Sequence, residues 1–412
     1  MHTVLIVGST FHTLTNYLID NGYEYVVLRD IKKANNPEKR LKRRVVCNFW
    51  SDKTIFAALE EVNERFTVDA VITTYENYIV STAKIAEKLN LPAISVESAK
   101  ACTDKKIMRK LFEKAPKKIS PRFAEVKNEK DAFSFAQKHG FPLILKPTNL
   151  AKSLLVSKVH SKKELQEAYK RTILQADEVY KKYGGYNQPE FIIEEFMEGS
   201  IHSVDVFVDS EGLPHVLENV VDYQTGYDIG HGDNFHYSRL LPSRLAGHQV
   251  KAIRETAKLG CQALGMINSP AHIEIILTKH GPRIVEIAAR NGGYRERMHK
   301  LANGIDITGS ALAIAFGKKP DITRKKNESC AVLELFPKNN GIFKGVRNLE
   351  TLKNLASLNY LSIKANPGDF VGKASDGYKM CAVIVLHQKN RKQFQEDLEF
   401  VNNSVYVLTN TL

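Results

Sequence analysis

Two glutamates pose the first chemical question. In PAHIEIILTKHGPRIVEIAARNGG, residues 270–293, Glu274 and Glu286 sit on apolar runs joined by a short turn, and the stretch closes on Arg290, Asn291, Gly292 and Gly293. Strand alternation puts His272 and Glu274 on one face of the first run, with Ile273 and Ile275 on the other. In the second run the face of Glu286 also carries Ile284, Ala288 and Arg290. With TKHGP as the turn, positions 274 and 286 come opposite each other, or nearly so. Opposed carboxylates repel unless a cation lies between them. Their oxygens suit Mg²⁺, which keeps several waters and shares its shell with phosphate groups. The competing outcome, both acids in solvent with their repulsion screened, is the commoner one for an arbitrary hairpin. Arg290 stands where a guanidinium stabilises charge in phosphoryl transfer or grips a carboxylate. The glycine pair frees the backbone to offer N–H groups to an anion at a helix start, although an ordinary turn uses the same residues.

These side chains need elements to position them. Strands at 4–8, 23–30, 69–75 and 92–96 alternate with helices near 11–20, 52–66 and 78–90, the pattern of a doubly wound parallel sheet. Gly8 ends the first strand, but GSTFHT lacks the GxGxxG spacing of a dinucleotide site. Glu76 follows DAVITTY, at the carboxyl end of a parallel strand where such sheets bind ligands. It reads equally as a substrate contact or as an exposed acid at a helix start.

A helix over 103–115 leads into a second α/β unit with the character of a lid: RFAEV, a helix over 129–139, FPLILKP, LLVSKV, a helix over 161–182 and FIIEEFM. From 201 the strands lengthen, through IHSVDVFVD, LPHVLENVVDY, AHIEIILT and RIVEIAAR, with a helix across 246–264 between them. That succession predicts a large antiparallel sheet. The segment 222–243 between its strands holds His231, Asp233 and His236, whose spacing fits no zinc pattern. Its glycines and aromatics suit a mobile substrate loop. Strands and a helix near 391–402 follow in 330–412.

Composition narrows the class. At 43% hydrophobic and 25% charged residues, the 412-residue chain has the balance of a soluble globular protein of two or three domains. No apolar run approaches the roughly 18 residues of a membrane helix, and MHTVLIVGST lacks the features of a leader. The isolated cysteines Cys47, Cys102, Cys261, Cys330 and Cys381 contain no CxxC pair and fit reduced thiols in a cytoplasm. The net charge of +13 is scattered, apart from EKRLKRR (38–44) and TRKKN (323–327). Neither cluster interleaves aromatics, so neither a nucleic acid nor a membrane is the expected partner.

The motifs in order resemble those of the ATP-grasp superfamily over most of the chain. They are Asp104-Lys105 at a helix start, Lys146-Pro147 at a strand end, the acidic strand Glu194-Glu195-Phe196-Met197, then Glu274, and Glu286 with Arg290. The resemblance implies an N-terminal α/β domain over 1–99, an ATP-grasp domain over 100–325 with its lid at about 120–194, and a small C-terminal α+β domain over 326–412. It implies ATP and Mg²⁺, with Mn²⁺ as a substitute, the metal held by Glu274 and Glu286. Lys105 and Lys146 would hold phosphates. Lys105 reads otherwise as a solvated helix residue, whereas a lysine ending a buried strand needs an anion partner. The backbone around Glu195 and Met197 would pair with adenine, with Phe196 between them and the Glu194 side chain near the base.

Three departures from the family pattern stand out. TNLAKSLLV, after Pro147, has no glycine where the family has a glycine-rich phosphate loop, which leaves Lys152 and Ser153 to cover the phosphates. Ala288 replaces a common asparagine. The ribose acid is missing around Ile201-His202, with His202 as its substitute. The run NGGYRERMHK departs from the bicarbonate-activating carboxylases and resembles the carboxylate–amine (amino-acid) ligase branch. There a substrate carboxylate is phosphorylated and an amine takes the acyl group. Arg290 and the amides of Gly292 and Gly293 would hold acylphosphate or substrate carboxylate. The partners implied are a small-molecule carboxylate and amine, and the analogy leans towards a homodimer. A carboxylase, or a nucleotide-binding regulatory protein that has lost catalysis, are the alternatives.

Overall fold

The protein is described by a computed structural model over residues 1–33, 43–150, 154–183 and 188–410. Its first unit comprises β1 (Thr3–Gly8), α1 (His12–Asp20), β2 (Glu24–Asp30), β3 (Arg44–Cys47), α2 (Asp52–Asn63), β4 (Ala70–Ile72), α3 (Ile79–Lys88) and α4 (Val96–Thr103). The four strands are parallel, in the order β3-β2-β1-β4. TVLIVG is buried along its whole length, as a strand covered by helices on both faces must be. The expected strand at 92–96 does not form. Ser95 instead caps α4, accepting a hydrogen bond from the Ser98 N–H.

The helix expected over 103–115 is divided at Asp104, whose extended backbone ends α4 and whose carboxylate caps α5 (Lys105–Phe112) by accepting from the N–H groups of Lys106 and Ile107. The lid then follows with β5 (Phe123–Val126), α6 (Glu129–His139), β6 (Leu143–Pro147), β7 (Ser157–Val159), α7 (Lys162–Tyr183) and β8 (Phe191–Glu195). Its antiparallel sheet runs β5-β8-β6-β7. Leu143, Leu145, Phe191 and Ile193 face a core shared with residues of α6 and α7, and alternation turns Lys146 and Glu194 to the opposite face.

The large sheet is assembled from β9 (Gly199–Val208), β10 (Pro214–Val216), β11 (Val221–Thr225), β12 (His236–Leu241), β13 (Ser269–Thr278), β14 (Gly281–Ala288) and β15 (Ser329–Leu335), with α8 (Gly247–Ala263), α9 (Arg295–Asn303) and α10 (Ile307–Ala315) between strands. The C-terminal segment adds β16 (Gly341–Val346), α11 (Leu349–Lys353), β17 (Leu358–Ile363), β18 (Phe370–Val371), β19 (Ala382–Gln388), α12 (Arg391–Ser404) and β20 (Val407–Asn410). Only β18-β16-β20 form a sheet apart. The nine-stranded sheet runs β14-β13-β9-β11-β12-β15-β19-β17, with β10 on β9, so the expected boundary at 326 falls inside one continuous sheet. The architecture is α/β, one parallel sheet followed by antiparallel ones.

Candidate active site

The two glutamates are cross-strand partners, Glu274 on β13 opposite Glu286 on β14. The turn between the strands is shorter than TKHGP, since Thr278 already pairs with Gly281. Ile273 and Ile275 face the main core, as alternation requires. One expectation is corrected here. The pairing slips from Glu274↔Glu286 to Ile275↔Ile284, so Val285 is the extra residue of a β-bulge. The bulge reverses the alternation, and Ile284 and Ile287 both lie against Gly260 of α8. Ile284 therefore faces the core and not the face of Glu286.

The pair is asymmetric. Lys105 Nζ lies 2.9 Å from Glu286 and 3.2 Å from the Leu150 carbonyl oxygen, to which it donates. Burial alone would raise the Glu286 pKa, but the Lys105 ammonium outweighs it and holds the carboxyl well below the ordinary range. Glu274 is pushed the other way, by burial and then by the charge of Glu286. Its nearest basic groups are His236 Nδ1 at 3.6 Å and His272 Nε2 at 3.9 Å. A half-buried carboxylate with its proton affinity raised beside a second carboxylate is a donor set that a divalent cation fits. Among the described residues no group of three or more His, Cys, Asp and Glu side chains is arranged to hold a metal. A cation here would draw its remaining oxygens from a ligand and water, which is the habit of Mg²⁺.

Lys146 faces the same space from the lid. It is buried and donates to Glu194 Oε2 at 2.7 Å. Burial pushes its pKa down to about 8, against the opposing pull of Glu194. The other oxygen of Glu194 accepts from Arg109 Nε at 2.8 Å. Arg109 is fully buried and escaped the sequence reading. The one signal for it was its place one turn after Lys105 on α5, which puts both on one helix face.

Part of the hinge backbone is engaged within the protein. Glu195 donates its N–H to the Arg122 carbonyl and Phe196 its N–H to the Pro142 carbonyl, so neither donor remains for a base. The Glu195 carboxylate pairs with Lys118 at 2.7 Å and Arg122 at 2.9 Å. It is thereby held near pKa 2 despite partial burial. Met197 lies two residues beyond the strand end at Glu195. The Phe196 ring lies 3.8 Å from Lys158 Nζ. His202, the residue expected at the ribose, already has partners within the sheet. Its Nδ1 meets Asp222 at 2.8 Å and its Nε2 meets Ser200 Oγ at 2.7 Å, which occupies both ring nitrogens. Lys152 and Ser153 lie outside the described residues.

On the far side of the pair, Arg290 Nη2 donates to Glu76 at 2.9 Å. The two residues, 214 positions apart, tie the first unit to the large sheet. Gly292 is required by close approach: a Cβ there would lie 2.4 Å from His272 Nδ1. Gly293 has open space around it, and α9 begins just beyond, at Arg295.

Beneath the glycines lies a closed polar ring that the sequence did not reveal. His272 Nδ1 meets Asp205 at 2.8 Å, and His272 Nε2 meets the Tyr223 hydroxyl at 3.2 Å. That hydroxyl accepts from Arg295 Nη2 at 2.7 Å, and Arg295 Nε returns to Asp205 at 3.4 Å. His272 and its partners hold the Asp205 pKa below the ordinary range although burial opposes it. The loop 226–235 is folded upon Asp233, which accepts from the Phe235 N–H and the Tyr237 hydroxyl.

Residues 139–296 match the ATP-grasp domain family. The alanine–anticapsin ligase of Bacillus subtilis (strain 168) is 29% identical over 287 residues, covering 66% of this chain and 59% of that protein. The chain thus spans about three fifths of the length of that curated relative. Among solved structures, an L-amino acid ligase from Bacillus licheniformis superposes with a TM-score of 0.79 at 18% identity, over 100% of this chain and 99% of that one. An N5-carboxyaminoimidazole ribonucleotide synthetase from Thermotoga maritima does so with 0.72 at 18% identity, over 100% of both chains. At such identities the likeness is one of fold. Residues 139–296 thus carry a match to the ATP-grasp domain, and the order of the motifs and the fold around it resemble those of ATP-grasp enzymes of the carboxylate–amine ligase branch.

Proposed function

We propose that the chain is an ATP-dependent carboxylate–amine ligase, joining amino-acid-like substrates through an acylphosphate and giving ADP and phosphate. The observation that carries this reading is the register of Glu274 against Glu286, both half-buried, with Lys105 on one of them and Lys146 facing them from the lid. In the reaction a substrate carboxylate oxygen bonds to the γ-phosphorus as the bond to ADP breaks. An amine nitrogen then bonds to the acyl carbon, phosphate leaves with that oxygen, and the amine gives up a proton. Chemistry of this kind asks the protein for positioning and charge neutralisation, with no nucleophilic side chain.

Glu274 and Glu286 would hold Mg²⁺, or Mn²⁺ in its place, and the ion supplies neutralisation of phosphate charge there. Lys105 and Lys146 bind phosphate oxygens by exchanging part of their pairing with Glu286 and Glu194. Arg290 and the N–H groups of Gly292 and Gly293 hold the substrate carboxylate or acylphosphate. The Glu76–Arg290 pair offers an acid and a base side by side, which suits a zwitterion. The names of the relatives, ligases for alanine with anticapsin and for L-amino acids, support this class of substrate.

The test is phosphate release from ATP with Mg²⁺, across single amino acids, amino-acid pairs and bicarbonate. Release that needs an amine and a carboxylate together is expected. Release with bicarbonate alone would move the chain to the carboxylases, and MgATP binding without turnover on any substrate would favour a regulatory protein. Glu286→Gln should abolish turnover with the circular dichroism spectrum unchanged, and persistent turnover would sink the assignment.

A further inference from the structure

We propose that Arg109 is a positioning residue that sets the metal pair from behind, joining the lid acid Glu194 to the bulge that aims Glu286; this rests on the ligase reading above. Arg109 touches neither glutamate of the pair. Its Nη2 donates to the carbonyl oxygen of Val285 at 2.6 Å, and its Nε to Glu194 Oε1 at 2.8 Å. Val285 is the residue that the bulge withdraws from the ladder.

The physical logic starts from that carbonyl. A bulge leaves its extra residue unpaired, and a carbonyl even partly withdrawn from water costs free energy without a donor. A guanidinium at hydrogen-bond distance supplies the donor. The bulge in turn lets Ile284 and Ile287 both reach α8 while Glu286 faces Lys105. Without it, strict alternation would put Ile284 on the face of Glu286 and take one isoleucine out of the core. The direction of Glu286 is therefore linked to a contact made by Arg109.

The second arm runs to the nucleotide side. Glu194 is shared, one oxygen accepting from Arg109 and the other from Lys146. Arg109 thus bridges β8 of the lid sheet and β14 of the large sheet, the two surfaces between which the candidate site lies. It stands on the same helix face as Lys105, so α5 presents one cation to the metal pair and one to the two supports behind it. A fully buried arginine is a poor choice for stability alone, since an apolar side chain of similar size commonly serves as well or better. Its third nitrogen, Nη1, is buried with no hydrogen-bond partner among the described residues. A charge kept under those conditions fits a demand for geometry.

The experiment titrates Mn²⁺ by electron paramagnetic resonance against the ADP-bound protein and measures MgADP binding by calorimetry, for wild type, R109K and R109M. Thermal melting of each variant runs in parallel. R109K keeps the charge but cannot span both partners, and is expected to bind Mn²⁺ about tenfold more weakly, the scale of losses when a supporting partner of a metal ligand is removed. R109M should lose at least as much. A purely structural role would lower the melting temperature and leave the Mn²⁺ affinity of the folded protein unmoved. Mn²⁺ binding within about twofold of wild type in either folded variant overturns the proposal. R109K carries the decision if the methionine variant does not fold. Failure of the wild type to bind MgADP at all would sink the ligase reading itself, and is read before any variant is made.

Discussion

Lys146 shows how a single residue sets a measurable property of the site. It is an ammonium buried at a strand end, and burial brings its pKa down to about 8 even with Glu194 at 2.7 Å. The charged form is what phosphate oxygens require, so the ammonium is present below that value and lost as pH rises through it. The KM for ATP is accordingly expected to climb above pH 8, towards a limit of about tenfold per pH unit. Arg keeps its charge throughout this range, so Lys146→Arg should flatten the climb whatever its effect on absolute rate. Coincident pH profiles for the two proteins would remove Lys146 as the titrating group. Glu286, held low by Lys105, stays ionised across the same window and adds no inflection there.

At the scale of elements, the turn between β14 and α9 carries the most specific expectation. Gly292 and Gly293 look alike in sequence but not in surroundings. A Cβ at 292 would lie 2.4 Å from His272 Nδ1 and 2.7 Å from Arg295 Cγ, whereas nothing lies within 4 Å of one at 293. Gly292→Ala should therefore lose about 1–3 kcal/mol, as overpacking does, read as a lower urea midpoint. Gly293→Ala should stay within about 0.5 kcal/mol of wild type. Equal effects at the two positions would mean that the polar ring of Asp205, His272, Tyr223 and Arg295 yields easily.

The whole molecule is bound together by its large sheet. β15, β19 and β17 continue the order begun by β14 and β13, so residues from 329 onward share a sheet with the strands before them. A chain ending at 326 would expose the edge of β12 along Ser238–Leu241, where β15 pairs. Such a fragment should fail to unfold cooperatively in urea and should aggregate. A sharp, reversible transition in the fragment would show that the ATP-grasp unit is separable after all. The cysteines test the same packing. All five are buried, so native protein should react slowly with a thiol reagent and denatured protein at all five positions.

What the sequence by itself determined is local in origin. A period of two and a short turn fix which strand positions face each other, so the opposition of Glu274 and Glu286 was legible. Alternating strands and helices made the first sheet legible as parallel, although Ser95, a helix cap inside PAISV, hid the start of α4. The tertiary structure alone decided the rest. The bulge at Val285 leaves no mark in a run of apolar residues, because it depends on the strand opposite and on α8. Arg109 meets its partners across 85 and 176 positions, and Arg295 meets Tyr223 across 72. Contacts at that range have no pattern in the local sequence, since what brings the chains together is the packing of whole sheets. The two imidazole nitrogens of His202 were spent on neighbours that only the folded sheet brings to it. Periodicity therefore named the side chains that face the site, and packing chose which of them have a partner already.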